Sequence, residues 1–180
     1  FDIEANSLTK PDRVHLIVCK ELLTGFRHIF RNVTYDPKAK ESFQQLAAKV
    51  TKWIGHNSLS YDFPVLVDLG MRKSIPSPSA NLDTLIISRL VDFPRAGGHS
   101  IEAYGEEFGL RKIDFNNFKE WTQELEDYCI RDVDICEKIF LKYKKYIDNP
   151  AHRPSIELEH KFQLIANDIQ DNGFCFNTKK

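Results

Sequence analysis

Trp53-Ile54-Gly55-His56-Asn57-Ser58-Leu59-Ser60-Tyr61-Asp62 runs from an apolar stretch through a polar turn into helical spacing. Trp53-Ile54-Gly55 reads as a short buried strand, and the helix that follows, Tyr61 to Leu69, stops at Gly70. Upstream, Phe43, Leu46, Ala47 and Val50 recur at helical intervals and predict a helix over Glu41 to Val50. Earlier still the chain reads as strands at Phe1 to Ala5, Val14 to Lys20 and Phe26 to Val33, with Thr24-Gly25 turning the last two. Val14, Leu16 and Val18 alternate, which predicts one buried face. Antiparallel strands followed by a strand-helix alternation predict an α/β fold built on a mixed sheet flanked by helices.

Downstream the pattern is helical. A Pro/Ser-rich loop covers Ser74 to Ala80, after which Asp83 is placed to cap a helix over Thr84 to Val91 and Ser100 one over Ile101 to Phe108. From about Phe118 to Tyr146 the apolar period is sustained through Leu125, Cys129, Val133, Cys136, Phe140 and Tyr143. Asn149-Pro150 breaks it, a helix over Ser155 to Gln170 follows, and Phe174-Cys175-Phe176 alternates after Asn172-Gly173. The chain opens in mid-strand without Met and stops without a closing element, as expected of a fragment of something longer.

With 42% apolar and 28% charged residues among 180, the chain has the composition of an ordinary soluble domain. No apolar run approaches a membrane span and no signal peptide is recognisable, so the expected location is the cytoplasm. Cys19, Cys129, Cys136 and Cys175 form no C-x-x-C pair, which predicts reduced core thiols rather than a zinc site or a disulfide framework. A net charge of −1 argues against nucleic-acid binding through a broad basic surface, although local clusters occur at Arg72-Lys73, Arg111-Lys112 and Lys142 to Lys145.

Three motifs carry chemistry. In Asp2-Ile3-Glu4, residues two apart in a strand project to one face, so the carboxylates point together. Asn57 followed by Tyr61-Asp62 lies at the strand-to-helix junction, where open α/β sheets expose polar groups. Tyr128 and Asp132, four apart on the long helix, share a face. Each also has a plain structural reading: exposed strand carboxylates, a charge at the helix N-terminus for Asp62, a core aromatic at Tyr128, a satisfied imidazole at His56. Together, Asp2, Glu4, Asp62 and Asp132 are four carboxylates on three elements that one sheet could gather. Such a group calls for divalent cations, and oxygen ligands suit Mg²⁺ or Mn²⁺.

D-x-E, N-x(3)-Y-D and Y-x(3)-D, in that order, resemble the signature of the DEDD 3′-5′ exonucleases in their tyrosine subgroup. Asp127 stands where the histidine subgroup would carry its histidine. Asp2 to Leu8, Trp53 to Leu66, Leu82 to Leu90 and His99 to Gly105 resemble the exonuclease domain of the family A DNA polymerases of T-odd phages, and Glu157 to Asn177 resembles the helix and turn leading into their polymerase part. The stretch between Val91 and His99 is short, and that between Gly109 and Trp121 has no counterpart.

The resemblance implies an RNase H-like sheet, an exonuclease domain over residues 1–150 and the start of a connection into a polymerase domain over 151–180. It implies a proofreading enzyme that removes nucleotides from single-stranded or frayed DNA 3′ ends with two Mg²⁺ or Mn²⁺ ions, and no synthesis by this chain. Asp2 would bridge the ions, with Glu4 and Asp132 completing one site and Asp62 the other. Tyr128 would orient water, because a phenol with a pKa of about 10 is a poor base at neutral pH. Ala5 and Asn57 would touch substrate, and Leu8 would wedge apart the last two bases. Two alternatives stand beside this: an RNase D-like RNA exonuclease, and a catalytically silent nucleic-acid-binding scaffold.

Overall fold

The computed structural model describes residues 1–110, 113 and 115–173; the expected alternation at Phe174-Cys175-Phe176 and the basic pair Arg111-Lys112 lie outside them. Three strands, β1 (Asp2–Ala5), β2 (Val14–Lys20) and β3 (Arg27–Arg31), form an antiparallel sheet in that order. The β2–β3 turn uses Gly25 at φ +73°, a conformation that costs glycine no steric strain. Helix α1 (Pro37–Ala47) leads to β4 (Trp53–Gly55), and α2 (Asp62–Asp68) leads to β5 (Asn81–Asp83), which pairs parallel with β4. The Phe1 nitrogen donates to the Ile54 carbonyl at 2.7 Å, tying the start of β1 to β4. Helices α3 (Thr84–Val91), α4 (Ile101–Glu107), α5 (Gln123–Ile147) and α6 (Arg153–Asn172) complete the chain, with a short 3₁₀ turn at Pro150–His152 before α6. The architecture is thus α/β, a small mixed set of strands flanked by helices.

Two layers of core meet at the sheet. On one side Phe1, Phe43, Trp53 and Phe63 pack as an aromatic cluster, with Phe1 and Trp53 edge to face at 5.0 Å. On the other, Leu16 and Val18 of β2 meet Cys129 and Val133 of α5. The expectation of one buried face on β2 is therefore corrected: β2 is buried on both. Its alternation is also broken. A bulge leaves His15 without a partner between the Glu4–Leu16 and Ala5–Val14 pairs, so Val14 packs with Ile17 and Cys19 rather than with Leu16 and Val18.

Helix boundaries moved where capping decides them. The first helix starts at Pro37 rather than Glu41, because Asp36 accepts from the Lys38 amide and Pro37 suits a first turn. The long helix starts at Gln123 rather than about Phe118, capped by Thr122 through the Leu125 amide at 3.1 Å. β3 is shorter than expected, and α6 begins at Arg153, two residues before Ser155. The caps at Asp83 and Ser100 are where the sequence places them. Cys19, Cys129 and Cys136 are buried free thiols, and Cys175 lies outside the described residues. Arg72 lies over the rings of Trp53 and Phe63, while Lys142 and Lys144 pair with Glu107 and Asp148. No helix among the described residues is long and apolar enough to cross a membrane.

Gly55 ends β4 because nothing larger fits. A β-carbon there would lie 2.6 Å from Ser58 Cβ and 3.0 Å from the Phe1 ring. Gly55→Ala is expected to cost about 1–3 kcal/mol of stability through overpacking, read as a lower denaturant midpoint; an unchanged midpoint would contradict this close approach.

Candidate active site

Strand alternation sorts β1 into two faces. Ile3 and Ala5 enter the aromatic core, while Asp2 and Glu4 look toward α5. There Cys129 lies between them: its Sγ is 3.6 Å from Asp2 Oδ2, and one ligand atom from each of Asp2, Glu4 and Cys129 falls within 4.8 Å of the others. Burial pushes the Cys129 thiol well up, and the charges of Asp2, Glu4 and Asp132 push it further, so it remains a thiol that donates to Asp2.

Helix α5 presents Tyr128 and Asp132 to the same space, one turn apart, and α2 contributes Asp62 as its first residue. The result is a cleft of about 780 Å³ lined by all four carboxylates, Asp2, Glu4, Asp62 and Asp132, together with Tyr128. Ala5, Leu8 and Asn57 line it too, with Leu8 85% exposed at the rim. Asp62 is buried and its Oδ1 has no hydrogen-bond partner among the described residues. Burial raises its carboxyl well above the usual range and the neighbouring Asp2 charge adds to that. Burial likewise pushes the Tyr61 phenol up to about 12, helped by Asp62, Glu4 and Asp2. The Tyr61 hydroxyl donates to the Ser7 carbonyl at 2.8 Å and so ties the Ser7-Leu8 rim to the second motif.

Asp83 organises the loop that carries Asn57. Besides capping α3 through the Leu85 amide, it accepts from the amides of Asn57 at 2.9 Å and Leu59 at 3.1 Å. Asn57 itself sits at φ +62°, a left-handed conformation that asparagine tolerates better than most residues. Helix α6 closes the arrangement. The Asp83 amide donates to His160 Nε2 at 2.8 Å, His160 Nδ1 donates to the Ile156 carbonyl, and Asn167 Nδ2 donates to the Leu59 carbonyl at 2.9 Å. His56 donates through Nδ1 to Thr84 Oγ1, whose own hydrogen goes to the Gly55 carbonyl. Tyr128 is flanked by Phe115 and Phe118, each 5.8 Å from its ring, and His15 at the bulge donates to the Phe118 carbonyl at 3.2 Å.

Sequence reasoning placed Asp83 only as a cap and did not single out His160, Asn167 or Phe118. Their signal was slight: His160 and Asn167 are polar residues seven apart, two turns on one face of a helix otherwise read by its apolar positions. A scan of protein-family models and a search of curated proteins found no match to this chain.

His160 is kept neutral by burial, which lowers its pKa from the ordinary 6.5. The unfolded chain therefore binds the extra proton first, and stability falls as pH drops through about 6.5. His15, lowered by burial as well, acts in the same direction. His160→Gln keeps an acceptor for the Asp83 amide but cannot titrate, so its melting temperature is expected to fall less than the parent's between pH 7.5 and 5.5. Equal falls in parent and variant would contradict this account of His160.

Proposed function

We propose that this chain is a metal-dependent 3′-5′ exonuclease that removes nucleotides from DNA 3′ ends, built on an RNase H-like fold and serving as the proofreading part of a longer DNA polymerase. The observation that carries this reading is the lining of one cleft by Asp2, Glu4, Asp62 and Asp132 with Tyr128 beside them. Residues 1–150 supply these groups, whereas α6, which the sequence assigns to the connection, supplies the hydrogen bonds that hold the Asn57 loop.

The donor set fits hard divalent cations. It consists of carboxylate oxygens, one of them the buried Asp62 Oδ1 without a partner among the described residues, and the Cys129 thiol is held protonated rather than offered as a soft ligand. Asp2, Glu4, Asp62 and Asp132 would hold two Mg²⁺ or Mn²⁺ ions. Such ions, when bound, acidify water and neutralise charge on a phosphodiester under attack. Tyr128 would hold the attacking water by its hydroxyl, its ring fixed by Phe115 and Phe118. Asn57, at the mouth of the cleft, would contact the terminal nucleotide. Leu8, exposed on a rim anchored by Tyr61, would insert between the last two bases and so favour ends whose stacking is already weak.

The test is an end-labelled oligonucleotide assay on matched DNA and RNA, with Mn²⁺ and with EDTA. A ladder of single-nucleotide steps from the DNA 3′ end, absent in EDTA, is expected. Tyr128→Phe is expected to slow it by about 10²-fold, through loss of the hydroxyl that positions the water, while leaving DNA binding near the parent's value. Asp132→Ala is expected to cost about 10³-fold or more, through lost charge stabilisation. Internal cuts, activity in EDTA, or parental rates in both variants would overturn the reading. A marked preference for RNA would reassign it to an RNA exonuclease.

A further inference from the structure

A second groove, about 390 Å³ in volume, lies between α3 and α6 and runs into the acidic cleft. Ile86, Arg89, Leu90 and Phe93 form one wall, and Glu159, Phe162 and Gln163 form the other. Arg89 and Gln163 line both the groove and the cleft, so the two are continuous. Phe93 is 82% exposed and Phe162 59%, although both rings border a concave surface that could cover them. We infer that this groove is a tract for single-stranded nucleic acid, holding the nucleotides that precede the 3′ end, with Phe93 and Phe162 as stacking platforms and Arg89 on the backbone phosphate.

The inference rests on the exonuclease reading and extends it to how the strand is held. Charge supports this occupant. The cleft gathers four carboxylates, whose charge two divalent ions would do no more than balance, and a polynucleotide brings one negative charge per residue, so a cation beyond the acidic group adds attraction for the nucleotides that precede the 3′ end. Arg89 is the only arginine or lysine among the described residues lining the cleft, it stands where cleft and groove join, and it makes no ion pair among the described residues. Exposed aromatic rings next to a cation suit bases of any sequence, because every base offers a stacking face. Among the described residues lining the groove Glu159 is the one acid, and it opposes a polyanion there.

The measurement is binding of fluorescein-labelled oligo(dT) of two and of eight nucleotides, in Ca²⁺ and low salt, to the parent chain and to Phe162→Ala, Arg89→Gln and Glu159→Gln. For the octamer, Phe162→Ala and Arg89→Gln are each expected to weaken binding about tenfold, in the range of one lost stacking or phosphate contact, and Glu159→Gln to strengthen it. The dimer, too short to leave the cleft, is expected to bind the parent, Phe162→Ala and Glu159→Gln alike, and Arg89→Gln more weakly, because Arg89 lines the cleft as well. Equal octamer binding throughout, or equal losses for dimer and octamer in Phe162→Ala, overturns the tract whatever the hydrolysis assay shows. Octamer losses as expected, in a chain that hydrolyses nothing with Mn²⁺, would establish the tract and remove the exonuclease reading instead.

Discussion

Mutual repulsion among four carboxylates is the constraint to which the surrounding structure answers. Asp2 and Glu4 share a strand face, Asp132 faces them from α5, and Asp62 enters from α2 with its charge disfavoured by burial and by Asp2. Left to themselves such groups would separate or take up protons. Here they are held by elements that cannot easily move. β1 is fastened by β2 on one edge and by the Phe1–Ile54 hydrogen bond toward β4, and α5 is wedged against β2 through Leu16, Val18, Cys129 and Val133. The Cys129 thiol donates into the acidic group, which relieves one oxygen without adding charge.

The second motif is held by hydrogen bonds as well as by the burial of Leu59 and Phe63 in the aromatic core. One carboxylate, Asp83, gathers three backbone amides, and these bonds partly offset the burial that raises its pKa. His160 and Asn167 of α6 then brace the same loop from the far side. The loop that brings Asn57 to the cleft thus depends on residues remote in sequence, and it adds to the packing of Ile156 and Leu164 that joins α6 to the body of the fold.

Much of this was legible in the chain and some was not, for identifiable reasons. Asp2 with Glu4 and Tyr128 with Asp132 could be read because their grouping follows from the period of one element, two in a strand and about 3.6 in a helix. Asp83 was legible as a cap, since that hydrogen bond reaches only to Leu85, but its bonds to Asn57 and Leu59 cross 26 and 24 residues. The bulge at His15 left no local mark, because it records the register of β1 against β2 and not a preference of either strand. His160 and Asn167 act across 77 and 108 residues, so no window of sequence contains both ends of either contact. Where the first and fifth helices start was misjudged because apolar spacing locates the buried turns, whereas Asp36 and Thr122 decide where each helix begins.

If Asp2, Glu4, Asp62 and Asp132 form one site for divalent cations, a thermal melt of the parent chain and of Asp62→Asn across a Mn²⁺ titration will register it. Asn keeps the volume of Asp62 and removes a buried charge, so the metal-free variant is expected to melt above the parent. A ligand that binds only the folded state adds RT ln(1 + [L]/Kd), about 2.7 kcal/mol at a hundredfold excess over Kd, so the parent is expected to rise by several degrees and the variant by less. Opposite signs from one substitution are hard to obtain from non-specific ion effects, which move both proteins alike. Equal shifts in the two, or none in the parent at millimolar Mn²⁺, would contradict a shared metal site.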